Sequence, residues 1–296
     1  MGQIIGVVGI GNMGIGVGSN LIKAGFEVMV FDNRPEPLEA LREKGAVVAP
    51  DIPSLAKACK TVFSVLLNYD QNLSVISGPD GLAENMAEGG CIFVCSTISP
   101  AQARALAKIA EPFGLRLLDA PVSGGAEGAM AGTLSVMIGG DKAAVEENKE
   151  ALDAVGSNIY HFGDVGAGES AKAINQIMVA INNAGVAEAM LFAARSGLDL
   201  KEVHHLISNS AGNSWIFQHR AMRMIERDFD PRGVLRILLK DTDIITDAAD
   251  DMDLVLPLSN LARQLYRAGV NNGWGDDDDS AVVKVLEKLA NFEIPK

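Results

Sequence analysis

The stretch "IIGVVGIGNMG", residues 4–14, decides how the first half of this chain folds. Its short apolar, β-branched run predicts a buried strand, and the glycines at 9, 11 and 14 follow in G-x-G-x-x-G spacing. The apolar periodicity of the next residues predicts a helix that ends at Gly25. After a strand, such glycines allow a tight turn, close approach of backbone N–H groups to a pyrophosphate, and close helix packing. The stretch therefore predicts a dinucleotide site.

The acid that follows bears on which dinucleotide binds. "FEVMVFD", residues 26–32, is typical of a second strand and ends in Asp32. A carboxylate at this place suits the hydroxyls of the adenine ribose and repels a 2′-phosphate, which favours NAD. Arg34 could instead pair with a phosphate, or lie in a solvated loop. NADP therefore stays possible.

Strand and helix patterns go on alternating through the first half of the chain. This alternation predicts an α/β fold with a doubly wound parallel sheet of the Rossmann type. Ligands of such sheets bind beyond the carboxyl ends of the strands. We therefore expect three segments to share one rim with the glycine turn: Leu66 to Tyr69, Ser96 with Thr97, and Ser123 to Gly125.

The pattern changes at about Gly166, where strand signals end. Residues 169–197 predict one long helix that is apolar nearly all round, and the remaining chain is helical. A membrane span is the alternative, but polar residues such as Lys172 and Asn183 argue against it. We predict a Rossmann NAD-binding domain at 1–164 and an all-α substrate and oligomerisation domain at 165–296, joined by this helix. A helix this apolar also predicts a homo-oligomer, a dimer or tetramer.

Composition excludes several classes of function. The 296 residues are 48% hydrophobic, and the net charge of −13 argues against nucleic acid and anionic membranes as partners. No signal-peptide pattern opens the sequence, and three cysteines without a CxxC motif favour free thiols in the cytoplasm. The run Asp276 to Asp279 predicts a solvated loop rather than a metal site. We expect no metal.

Lys172 is the residue that calls for chemistry in the long helix. Asn175 and Gln176, three and four residues later, lie on the same helix face. A lysine beside a nicotinamide can act as the general acid that protonates a carbonyl oxygen as hydride arrives. A lysine that only extends its ammonium to solvent at a helix start explains the spacing equally well.

The sequence resembles the β-hydroxyacid dehydrogenase family along nearly its whole length. The matching segments are "GVVGIGNMG" (6–14), "STISP" (96–100), "DAPVSGGAEGAMAGTLSVMIGG" (119–140), "GDVGAGESAKAINQ" (163–176), "LLKDTDI" (238–244) and "GWGDDDDSAVV" (273–283). The resemblance implies that Lys172 is the catalytic residue. It implies a substrate site at Ser123, Gly124, Gly125, Asn175 and Gln176. It implies cofactor contacts at Gly9, Ile10, Gly11, Asn12, Met13, Gly14, Asp32, Leu66, Leu67, Asn68, Thr97 and Lys240.

The substrate is expected to be a small anionic hydroxy acid. Segments such as "SAGNSWIFQHR" (210–220) and "PLSNLARQLYRAG" (257–269) most resemble the branch that oxidises four-carbon sugar acids such as L-threonate. Trp215 and Arg220 are bulkier and more polar than a methyl-bearing acid needs. The alternatives are 3-hydroxyisobutyrate and tartronate semialdehyde as substrates. An imine reductase or a non-catalytic NAD-binding protein is disfavoured, because either would be expected to lack Lys172.

Overall fold

The computed structural model describes residues 3–295 and divides into two compact units, Met1–Lys172 and Ala173–Lys296. The division falls inside the longest helix, Ala167–Arg195, rather than in a loop. The predicted boundary after residue 164 stays a prediction.

The first unit forms a nine-stranded sheet from residues 3–172 with helices along the chain between the strands. The strands are β1 Ile4–Val8, β2 Glu27–Phe31, β3 Val47–Val48, β4 Thr61–Ser64, β5 Cys91–Val94, β6 Arg116–Asp119, β7 Val122–Ser123, β8 Leu134–Gly139 and β9 Gly156–Gly163. The helices are α1 Gly14–Lys23, α2 Pro35–Arg42, α3 Ile52–Ala58, α4 Tyr69–Ile76, α5 Leu82–Asn85, α6 Pro100–Ala110, α7 Gly125–Ala131, α8 Lys142–Glu147 and α9 Lys149–Val155. A 3₁₀ turn, Glu111–Phe113, follows α6.

The sheet confirms the predicted doubly wound fold. Its strand order is β3-β2-β1-β4-β5-β6-β8-β7, with β9 beside β8, and β1 to β6 are all parallel. This order reverses direction at β1 and β4, which is where ligands bind in such sheets. Two features depart from an all-parallel sheet: β8 runs antiparallel to β6 and β7, and β9, which no sequence pattern indicated, pairs parallel to β8.

Side chains that alternate along the strands build a separate core on each face of the sheet. On β1, Ile5 and Val7 pack into one core, whereas Val8 packs into the other. Phe63 of β4 stacks on Phe93 of β5 with ring centroids 5.1 Å apart. Helices α8 and α9 meet at Asn148, which ends the first and begins the second, and its side chain donates to Ala144 O at 2.8 Å.

The second unit is helical. Its helices are the greater part of α10 Ala167–Arg195, then α11 Leu200–Ser208, α12 Trp215–Glu226, α13 Leu235–Asp250, α14 Pro257–Gly269 and α15 Val283–Ala290, with single turns at Val270–Trp274 and Asp279–Val282. Tyr266 of α14 is fully buried and its hydroxyl donates to Ala180 O of α10 at 2.6 Å. This bond joins two helices that are distant in sequence.

Helix α10 is long and apolar enough to cross a membrane by length and composition, but 39% of its most apolar window is buried. It is not covered on every side. Ile174, Met178 and Phe192 are 65%, 55% and 74% exposed, and Gly185 is exposed between them. At 100° per residue these positions fall on one narrow face. An exposed apolar stripe therefore runs along the helix.

Candidate active site

The glycine turn after β1 has the geometry that its spacing predicts. Gly9 has a φ of +89°, and a Cβ there would lie 2.5 Å from Val65 O. A Cβ on Gly14 would lie 1.9 Å from Gly9 O, so both positions require glycine. At Gly11 the nearest atom to a Cβ is 3.9 Å away, which leaves the backbone open to a ligand.

The N-terminus of α1 suits an anionic group. Met13 stands at its N-cap position without a side-chain hydrogen bond to the first turn, and Asn12 before it is exposed. The first N–H groups of a helix lack partners within the helix and favour negative charge. Together with the open backbone at Gly11, this end of the helix fits the pyrophosphate of a dinucleotide.

Asp32 lies next to the glycine turn just after β2. Its carboxylate accepts hydrogen bonds from Ile10 N at 2.7 Å and from Arg34 N at 2.9 Å. The Arg34 guanidinium also pairs with this carboxylate, although the Arg34 side chain is 61% exposed. Burial acts to raise the pKa of Asp32, but the hydrogen bonds from Arg34 and Ile10 outweigh it and hold the pKa below its ordinary value. The ribose-binding candidate is therefore a carboxylate at neutral pH.

The ends of β4 and β5 form the next part of the rim. Leu67 is half-exposed, and Leu66, Asn68 and Thr97 are partly buried. Beneath them lies a buried polar network that sequence patterns did not reveal. In it, Ser64 Oγ and Asn72 Oδ1 are 2.7 Å apart, and Asn72 Nδ2 donates to Ser96 Oγ, which donates to Leu66 O.

The glycines after β7 adopt conformations that other residues avoid. Gly124 and Gly125 have φ angles of +137° and +65°, and both are exposed. They follow Ser123, which is partly buried at the end of β7. Consecutive backbone N–H groups in such a turn can surround an oxyanion. This geometry suits the predicted role in binding a substrate carboxylate.

Lys172 belongs to the first unit and lies beside this segment. It is 6% exposed, and its Nζ donates to Val122 O at 2.8 Å. Val122 is the residue before Ser123, so the ammonium is held next to the predicted carboxylate site. The structure thus brings the predicted general acid to a predicted substrate residue, and it does not expose Lys172 to solvent.

The second unit contains a connected polar group. Asn175 Nδ2 donates to Gln176 Oε1 at 2.9 Å, and Gln176 Nε2 donates to Asp241 Oδ2 at 2.6 Å. The other oxygen of Asp241 is 2.9 Å from Lys240 Nζ. Asp241 is 3% exposed and was missed at the sequence level, although it lies within the quoted "LLKDTDI" motif. It contacts two of the predicted site residues, Gln176 and Lys240.

The aspartate run 276–279 is solvated, as we expected, only at its start, where Asp276 is exposed. Asp278 and Asp279 are buried, and both carboxylate oxygens of Asp279 bind the Arg220 guanidinium. The prediction was wrong for Asp278 and Asp279, because two arginines far away in sequence, on α12, neutralise them. The Arg220 guanidinium therefore forms a buried ion pair with Asp279. Trp215, in contrast, is 57% exposed and stacks on His219.

Among residues 3–295, no group of three or more His, Cys, Asp or Glu side chains is arranged to hold a metal ion. All three cysteines are free and buried. Burial raises the pKa of each thiol to about 12. These thiols are packing residues rather than nucleophiles.

Comparison with known proteins adds to this geometry. Residues 4–163 match a family model described as the NAD binding domain of 6-phosphogluconate dehydrogenase. Residues 166–286 match one described as NAD-binding of NADP-dependent 3-hydroxyisobutyrate dehydrogenase. The L-threonate dehydrogenase of Cupriavidus necator is 36% identical over 97% of each chain. The 2-(hydroxymethyl)glutarate dehydrogenase of Eubacterium barkeri is 32% identical over 98% of this chain and 97% of its own.

A solved structure shares the same fold. The crystal structure of 3-hydroxyisobutyrate dehydrogenase from Salmonella typhimurium superposes with a TM-score of 0.89 at 36% sequence identity. The match covers 96% of this chain and 99% of that chain. Similarity therefore extends through both units.

Proposed function

Because the chain belongs to the β-hydroxyacid dehydrogenase family and is a nicotinamide-dependent dehydrogenase of small hydroxy acids, we propose that its substrate is a four-carbon sugar acid such as L-threonate. The observation that supports this choice is the full-length similarity, at 34–36% identity, to several L-threonate dehydrogenases. The alternatives are 3-hydroxyisobutyrate and tartronate semialdehyde.

In the proposed reaction, the substrate hydroxyl loses its proton to Lys172 Nζ as its carbon is oxidised to a carbonyl. Bound nicotinamide supplies the hydride acceptor. In the reverse direction the Lys172 ammonium returns the proton to the carbonyl oxygen. The bond from Nζ to Val122 O holds the amine in place beside Ser123, the residue after Val122.

The other site residues would bind and orient the substrate. In the first unit, the N–H groups of Ser123, Gly124 and Gly125 would hold the carboxylate. In the second unit, Asn175 and Gln176 would bind substrate hydroxyls, and Lys240 would add positive charge near an anionic ligand or the cofactor. Asp241 keeps Gln176 and Lys240 in fixed positions through the contacts described above.

The preferred cofactor in this proposal is NAD rather than NADP. The ionised Asp32 lies against Ile10 N in the glycine turn, where it would bind ribose hydroxyls and repel a 2′-phosphate. Arg34 is the group that would favour NADP, because its exposed guanidinium could leave Asp32 at small cost. The preference between NAD and NADP therefore depends on whether the repulsion of a 2′-phosphate by Asp32 exceeds its attraction to Arg34.

The exposed stripe on α10 supports the proposal of a homo-oligomer. Three large apolar side chains on one helix face would be buried by the same face of a second copy. Phe192→Glu places a charge at the most exposed of them and should yield a monomer by sedimentation. Glu188→Gln, an exposed change on the same helix, is the control. A wild-type protein that is already monomeric at micromolar concentration would refute the assembly.

The substrate and Lys172 are tested together. Purified protein is assayed with L-threonate and 3-hydroxyisobutyrate, and in reverse with tartronate semialdehyde, by the absorbance of the reduced cofactor. L-Threonate should give the largest kcat/KM. Lys172→Met should lower kcat by about 10²- to 10⁴-fold with NAD binding retained. Lys149→Met, at an exposed lysine, should keep full activity. A Lys172 variant with near-normal turnover would remove this residue from the mechanism.

A further inference from the structure

Asp119, the last residue of β6, makes a contact that no pattern in the sequence indicated. Its side chain is fully buried, and its two oxygens accept hydrogen bonds from Gly166 N at 2.7 Å and Glu169 N at 2.8 Å. These donors belong to the beginning of α10, where backbone N–H groups have no partner within the helix. A carboxylate from a distant strand thus caps the helix that contains Lys172.

The surroundings leave this carboxylate little freedom. A Cβ on Gly139 would lie 2.7 Å from one Asp119 oxygen, and a Cβ on Gly168 would lie 2.9 Å from the other. The Asp119 carboxylate therefore fits between residues 139 and 168 only because neither of them carries a side chain. The first turn of α10 is therefore held in one rotation and at one height along the helix axis relative to β6.

A second contact follows one helical turn later. Lys172 is three residues after Glu169, and its Nζ donates to Val122 O, which is three residues after Asp119. The short segment from Asp119 to Ser123 consequently binds α10 at two points. The first point fixes the backbone of the helix, and the second fixes the ammonium of the lysine.

We propose that Asp119 is a positioning residue that sets the place of Lys172 relative to Ser123. Asp119 touches neither substrate nor cofactor in this proposal, and its effect passes through the rotation of the first turn of α10. The proposal rests on the catalytic role of Lys172 stated above. A misplacement of about 1 Å in a reacting group costs about 10²-fold in rate.

The first test is Asp119→Asn, which has the same shape but directs an amide N–H₂ at a backbone N–H group. We expect kcat to fall by about 10- to 100-fold, with KM for NAD changed by less than about threefold. The limb of the kcat–pH profile that depends on Lys172 is the one that Lys172→Ala abolishes. In Asp119→Asn this limb should move to a different pH. Asp51→Asn is the matched control, because Asp51 caps α3 in the same unit by accepting from Ser54 N. It should leave kcat and the pH profile unchanged.

A double-mutant cycle separates positioning from general loss of structure. In a Lys172→Ala background, Asp119→Asn should lower the residual kcat by less than about twofold, because its target is already gone. An equal loss in both backgrounds would overturn the positioning role and leave Lys172 catalytic. Full activity of Lys172→Ala alone would instead overturn the proposed catalytic role of Lys172. If Asp119→Asn does not fold, Asp119→Ser, whose smaller side chain fits the same space, enters the same cycle with the same criteria.

Discussion

Replacing Arg220 with methionine should lower the free energy of unfolding by about 3–5 kcal/mol, because it leaves a buried carboxylate without its cation. Asp279 is 6% exposed, and the Arg220 guanidinium binds both of its oxygens, through Nε and through Nη2 at 3.0 Å. Arg220 itself is 8% exposed, so water cannot replace the lost partner. The loss should be measured by urea unfolding at fixed protein concentration and pH 7.

The matched control is Arg236→Met. Arg236 pairs with Asp276 in the same aspartate run, but the two side chains are 54% and 81% exposed. Its removal should cost at most about 1 kcal/mol. Combining Arg220→Met with Asp279→Asn should cost less than the two single losses added together, since no charge is then left unpaired.

The pH dependence has a defined sign. Burial raises the pKa of Asp279 above its ordinary value, even with Arg220 present. A carboxyl group with a raised pKa in the folded state favours folding when protonated, and this stability is lost as pH rises through the folded pKa. The deficit of Arg220→Met should therefore shrink as pH falls from 7 toward 4. A loss below about 1 kcal/mol at pH 7, together with a raised KM for the hydroxy acid, would refute the structural role and make Arg220 a substrate ligand.

Three further outcomes are expected. Asp32→Ala should weaken NAD binding by about 10- to 150-fold and narrow the preference over NADP, since hydrogen bonds to a charged group are lost; faster turnover of the unmodified protein with NADP than with NAD would contradict this. Asp241→Asn should lower kcat/KM for the hydroxy acid about 10-fold through Gln176 and Lys240, whereas exposed Asp247→Asn should not. Burial raises the pKa of the three cysteine thiols to about 12, so they should not react with a disulfide reagent at pH 8 until the protein unfolds. These thiols are Cys59, Cys91 and Cys95.

Local patterns predicted the parts of the fold that depend on local chemistry. The glycine turn could be read because Gly9 and Gly14 meet atoms of their own strand–turn–helix unit and of the adjacent strand end. Lys172 could be singled out because a cation in an apolar helix is unusual. In both cases the evidence lay within a few residues of the feature, and the structure agrees with the predicted turn and helix.

Other features depend on partners far along the chain. Strand β9 has exposed side chains on both of its faces, so it lacks the alternation of a half-buried strand and forms by pairing with β8. In the sequence, Asp279 has the pattern of a solvated acid, because its partner Arg220 lies on α12, 59 positions away. The residues around Asp119 likewise do not indicate that it caps a helix. That helix begins at Ala167, which is 48 positions later in the sequence (167 − 119).

The continuity of α10 limits how this enzyme can be recombined with its relatives. The second family match begins at residue 166 and includes Lys172, yet the contacts of Lys172 assign it to the unit Met1–Lys172. A chimera joined at the family boundary would take Asp119 and Val122 from one parent and the helix start that they hold from the other. A crossover placed after the first two turns of α10 would inherit strand, cap and lysine as one block. In recombination, the smallest exchangeable part therefore ends inside a helix, beyond Lys172.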